Sequence, residues 1–159
     1  MKCALARSLS EGILMPEKKG FKFLEHTADV YIAAYGGSME EAFENAALAT
    51  TEVMTDADQV KPETKEKVEI EARDMQELLY NWIEELLFRF DTENNVYSRF
   101  QVSSIEESDR GLRLRAEICG EVFDPESHPQ KLGVKAITYH LMEIKTRPDK
   151  VTLKFVLDV

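Results

Sequence analysis

The chain has 159 residues, 43% hydrophobic and 31% charged, which suffices for the core of one domain and argues against disorder along most of its length. Its 30 acidic and 20 basic side chains leave a formal net charge of -10, so direct and dominant binding to a phosphate backbone is disfavoured. Cys3 and Cys119 are the only cysteines, which is no disulfide framework, and no CxxC occurs. No stretch approaches the roughly 18 apolar residues of a membrane span, so the expectation is a soluble, cytoplasmic protein.

Residues 1–19 contain a weakly apolar run broken by Arg7 and Glu11, which is poor material for a signal peptide and reads as a flexible leader. Residues 20–159 are then the single domain. Within it, residues 21–25 and 30–35 read as extended, with HTAD between them as a bend, and Gly36-Gly37 ends the second run. Ser38 opens a capping box with Glu41. The helix that follows places Met39, Phe43, Ala46, Ala47, Thr50 and Val53 on one face.

Residues 65–72 alternate, with Val68, Ile70 and Ala72 against Glu69 and Glu71, the period of a half-buried strand. Asp74, with Glu77 as its partner, caps a second helix. Its broad apolar face, including Leu78, Leu79, Trp82, Ile83, Leu86 and Leu87, marks it as the central core element. Two strands joined by a turn at 108–111 come next, the second with Leu112, Leu114, Ala116 and Ile118 on one face. Residues 121–132 read as a loop with Pro125 and Pro129. Residues 134–145 carry two signals: Val134, Ile137, Leu141 and Ile144 suit a helix, whereas the composition of AITYH favours a strand, the reading adopted here. A final strand covers 151–159. No internal repeat is visible. The order predicts an α+β domain, two main helices packed on a largely antiparallel sheet.

Strand parity singles out two acids. Val151, Leu153, Phe155 and Leu157 share one face, which puts Asp158 on the other; Val30, Ile32 and Ala34 share a face that excludes Asp29. Both carboxylates flank strand ends. Taken singly, each is more readily a cap, a turn residue or a solvated charge. If they meet, the like charges require a cation, a shared proton or solvent between them. A hard divalent cation suits carboxylate oxygens, and Val159 adds the chain's terminal carboxylate. The three histidines make no zinc pattern: His26 lies three residues before Asp29, His140 sits in TYH, and His128 precedes Pro129 as an ordinary loop histidine. Lys135 reads as a solvated lysine or one facing an anion. With no GxSxG, P-loop or GxGxxG, nothing here makes a self-sufficient active site.

FLEHTADV (residues 23–30), the helix YGGSMEEAFENAALA, EVMTD (52–56), GEVFDPESHPQKLGVKAITYH (120–140) and the terminal FVLDV (155–159) occur in that order. Together they resemble the archease family over nearly the whole chain from about residue 20. The resemblance implies a strand–helix–strand–strand (SHS2) domain carrying an inserted module. It also implies a non-catalytic activator of the RNA-splicing ligase of the RtcB type, which joins 3′-phosphate or 2′,3′-cyclic-phosphate ends to 5′-hydroxyl ends in tRNA splicing and RNA repair. Archease promotes guanylylation of that ligase and its repeated turnover. The implied metal site consists of Asp29, Asp158 and Val159, with calcium the expected cation; His26, Lys135 and His140 match further motif positions that the resemblance connects with ligase activation. Tyr31 departs from the glycine common after HTADV, which bears on the shape of the partner-facing surface. Two rival readings are a metal-dependent phosphoesterase, and a chaperone or modulator of RNA-modifying enzymes such as tRNA methyltransferases.

Overall fold

Both predicted helices start where their capping chemistry places them. In the computed structural model, which describes residues 20–24 and 29–159, helix α1 spans Met39–Met54 and helix α2 spans Met75–Glu93. Ser38 Oγ accepts from the Glu41 amide at 3.1 Å, and Asp74 Oδ1 accepts from the Glu77 amide at 2.9 Å, each satisfying an orphan first-turn donor. The return bonds run one residue further out than a standard box. Glu41 Oε1 accepts from Gly37 N–H and Glu77 Oε1 from Arg73 N–H. Asn94, with φ of 60°, closes α2 in the left-handed region. The leader and His26 lie outside the described residues.

The strands are β1 (Phe21–Leu24), β2 (Val30–Gly36), β3 (Thr64–Ala72), β4 (Asn95–Ser108), β5 (Gly111–Val122), β6 (Ala136–Arg147) and β7 (Lys150–Asp158). They divide between two antiparallel sheets instead of forming one. The first is four-stranded in the order β1-β2-β7-β6, and the second three-stranded in the order β3-β5-β4. The second sheet and α2 come from a continuous segment inserted between α1 and β6. That segment runs strand–helix–strand–strand (β3-α2-β4-β5), as does the frame around it (β2-α1-β6-β7). In each unit the last strand lies between the other two. The repetition is topological only, which is why the sequence shows no repeat.

Both helices touch strands of both sheets, and one core results. Trp82 of α2 is fully buried and donates from Nε1 to the Phe43 carbonyl of α1 at 2.9 Å; Phe43, Ile32, Leu153 and Phe155 pack in the same core. The hydroxyl of Thr51 donates to the Tyr97 carbonyl at 2.8 Å, stitching α1 to the inserted sheet. Gly120 is required by closeness: a Cβ there would sit 1.9 Å from the Val96 carbonyl oxygen. No helix among the described residues is long and apolar enough to cross a membrane.

Residues 134–145 resolve in favour of a strand, and the helical spacing has a physical origin. Ile137 pairs with Leu157 and Ile144 with Leu153, so both belong to the same face although seven positions apart in number. An irregularity between Thr138 and Glu143 inserts an odd number of residues and reverses the parity. Leu141, at φ 58°, makes the turn within it. The strand β5 also extends to Val122, so the loop after it starts slightly later than the composition suggests.

Candidate functional site

One end of the four-stranded sheet gathers the candidate residues. The β2–β7 ladder closes with Val30 paired to Leu157, and continuing that register by one residue sets Asp29 across from Asp158. On the other side of β7, Asp158 pairs with Ala136, and the Lys135 amide donates to the Asp158 carbonyl at 2.7 Å. The end of β7 is therefore held from β6 through the backbone, and Val159 follows immediately. The core-facing register of Val30, Ile32, Leu157 and Phe155 puts Asp158 on the face away from the helices, as parity requires. Asp29, Asp158 and Val159 are all partly accessible.

These donors fit a hard cation. Two aspartate carboxylates, with Val159 next in the chain, offer only oxygen, the chemistry of calcium or magnesium and not of zinc. Among the described residues, no group of three or more His, Cys, Asp or Glu side chains is arranged to hold a metal ion. A cation at this end would thus draw on the Asp29–Asp158 pair and the chain terminus. The Asp158 carbonyl already accepts from Lys135, so the side chain is the natural donor there.

The remaining nominated residues are distributed unevenly. Lys135 adjoins the site through its backbone, and its residue is exposed. His140 lies in the irregular stretch of β6, exposed, with its amide donating to Thr138 Oγ1 at 3.2 Å. Its neighbour Tyr139 stacks on Tyr80 of α2, ring centroids 4.5 Å apart and planes within 9°. Partial burial, and next the Glu77 carboxylate, push the Tyr139 phenol above its ordinary range. Tyr31, opposite Val156 in the ladder, lies beside the pair of acids. His26 falls outside the described residues.

Sequence reasoning missed the loop that shapes this end. His128 is no ordinary loop histidine but is 1% exposed. Its Nδ1 accepts from the Asp124 amide at 2.8 Å, so the proton resides on Nε2, which donates to Glu121 Oε2 at 2.7 Å. Glu121 Oε2 also accepts from the Lys61 amide at 2.9 Å, and the imidazole packs against Phe123. Further along, Lys131 and Leu132 donate their amides to the carbonyls of Met54 and Val53, which close the end of α1. Lys131 Nζ meets Glu52 Oε1 at 3.3 Å. The result is a groove between β1 and this loop, with Asp29 at its margin. The HP dipeptide within a Pro-interrupted loop was the available signal, since a histidine amid acids and amides has partners to find.

The comparisons agree with this architecture. The profile of the Archease protein family (MTH1598/TM1083) matches residues 21–159. A protein archease from Sulfurisphaera tokodaii is 45% identical over 139 residues, covering 87% of this chain and 98% of that one. One from Pyrococcus abyssi is 45% identical over 131 residues, covering 82% and 92%. The solution structure of Methanobacterium thermoautotrophicum protein 1598 superimposes with a TM-score of 0.77 at 45% identity, covering 89% of this chain and 99% of that one. A Thermotoga maritima crystal structure described as an archease and possible chaperone has a TM-score of 0.58 at 19% identity, covering 87% and 96%, a likeness of fold alone.

Proposed function

The chain belongs to the archease family, and from that premise we propose that it activates an RNA-splicing ligase of the RtcB type and is not itself an enzyme. The observation that supports the reading is the register of two strand ends. Asp29 lies one residue beyond the Val30–Leu157 pair on one strand, and Asp158, followed by Val159, one residue beyond it on the other, in a chain of net charge -10. A divalent cation, calcium foremost, held by those oxygens would offset their mutual repulsion and leave a fixed, charged tip.

The chain's own part is docking and presentation. A ligase that handles RNA ends needs a basic cleft, and an acidic protein associates with such a surface quickly and in a salt-sensitive way. It must also leave for RNA to enter, which suits an activator of guanylylation and turnover. The β2–β7 ladder and the Lys135–Asp158 hydrogen bond fix the tip, so little ordering entropy is lost on docking. Lys135, which leads into β6, and His140 on β6 are secondary candidates for contact with the ligase, with His26 of the HTAD segment.

Asp29→Ala and Asp158→Ala test the reading in a ligase guanylylation assay. Loss of stimulation with an unchanged fold is expected; full stimulation by both variants overturns it. A modulator of RNA-modifying enzymes such as tRNA methyltransferases draws on the same acidic surface, and pull-down from extract separates the two by the enzyme enriched. A metal-dependent phosphoesterase has less support, since among the described residues no third side-chain ligand joins the two aspartates.

A further inference from the structure

We propose that the groove between β1 and the loop after β5 is the docking seat for the partner. Its occupant is a protein segment that places a large apolar side chain beside a lysine or arginine, at the rim of a nucleic-acid cleft. This rests on the functional reading above and adds where the affinity resides. Phe23 is 51% exposed and Leu132 is 48% exposed, and they line the same groove, together with Leu24, Val53 and Lys131, with Asp29 at its margin.

Folding does not explain Leu132. What holds its loop to α1 is the backbone: the Leu132 amide donates to the Val53 carbonyl at 3.1 Å, and the Lys131 amide to Met54 at 3.0 Å. A polar residue at 132 would make the same bond without exposing apolar surface. The clamp also makes the groove preformed, which lowers the ordering cost of binding. Charge determines the second half of the ligand. Lys131 pairs with Glu52 at 3.3 Å, so the Glu52 carboxylate is already met by a cation. Asp29 sets an acidic end to an apolar trough. An apolar anchor flanked by a basic side chain is complementary to that sequence of surfaces, and such a residue abounds at the edge of a cleft that binds phosphates.

The test measures the dissociation constant of the full chain for the ligase, with calcium binding and thermal melting as controls. Leu132→Ser should weaken the complex by about tenfold or more while melting and calcium affinity stay unchanged, and Leu132→Met should restore binding. Stimulation by Leu132→Ser should recover at saturating concentration, because the tip is intact. Val122→Ser removes a residue 60% exposed elsewhere on the surface and should bind as wild type. Wild-type affinity in Leu132→Ser, or equal weakening by Val122→Ser, overturns the seat and leaves the activator reading standing. A wild-type chain that neither binds nor stimulates the ligase overturns both.

Discussion

The Lys135 amide donates to the carbonyl of Asp158 at 2.7 Å, and this bond ties Asp158 to the residue that leads into β6. Strand β7 ends in register, with Asp158 paired to Ala136 on one side and Asp29 one step past Val30 on the other.

That arrangement predicts a calcium-dependent stability carried by two residues. Calcium at about a hundred times its dissociation constant should raise the folding stability by roughly 2.7 kcal/mol. Asp29→Asn and Asp158→Asn should each lose that increment while melting normally, within about 1 kcal/mol, in its absence. Thermal melts with calcium and with chelator check it; an undiminished calcium shift in both variants contradicts the site.

The oxygen that Val159 is proposed to supply makes a separate prediction. In a chain that ends at Val159, a peptide extension replaces its carboxylate by an amide and removes a charged donor. Since Lys135 bonds to Asp158 and not to Val159, melting in chelator should not change. Calcium affinity, measured by titration calorimetry, should fall about tenfold or more, as expected for the loss of one charged oxygen ligand.

His128→Ala should cost about 2–4 kcal/mol, because it strands the Asp124 amide and removes the donor to Glu121 in a site that is 1% exposed. Proteolysis should then cut within residues 123–135 before any other described segment. Denaturant unfolding and limited digestion provide the measurements, and a wild-type midpoint would contradict the role given to this histidine.

Two backbone positions have opposite signs. Gly120→Ala drives a Cβ to within 1.9 Å of the Val96 carbonyl oxygen and should destabilise by about 2 kcal/mol or more. Leu141→Gly should relieve a left-handed conformation worth about 1 kcal/mol, offset by the contacts of a side chain that is 45% exposed, and so be close to neutral. Paired denaturant titrations decide both.

Local chemistry made much of this legible. Ser38 and Asp74 announce their helices through hydrogen bonds that span only a few residues, and the alternation of Val68, Ile70 and Ala72 follows from a one-sided sheet. The division into two sheets was not legible, because pairing partners such as Glu66 and Ile118 lie far apart in the chain and alternation does not name a partner. Residues 134–145 carried a helical spacing beside their strand composition because the irregularity at 139–142 changes parity, and parity is what a strand reading relies on. The two aspartates could be placed on strand faces from sequence, yet only the register sets them opposite each other. The groove was invisible for the same reason: Phe23 and Leu132 are brought together by backbone bonds between a loop and the end of α1.

The central claim is tested most directly by RNA ligation with an RtcB-type ligase present well below its substrate, with and without this protein. The account predicts that the ligase alone stalls near a single turnover, that added wild-type chain permits many, and that Asp29→Asn and Asp158→Asn do not. Equal product with and without the wild-type chain would contradict it.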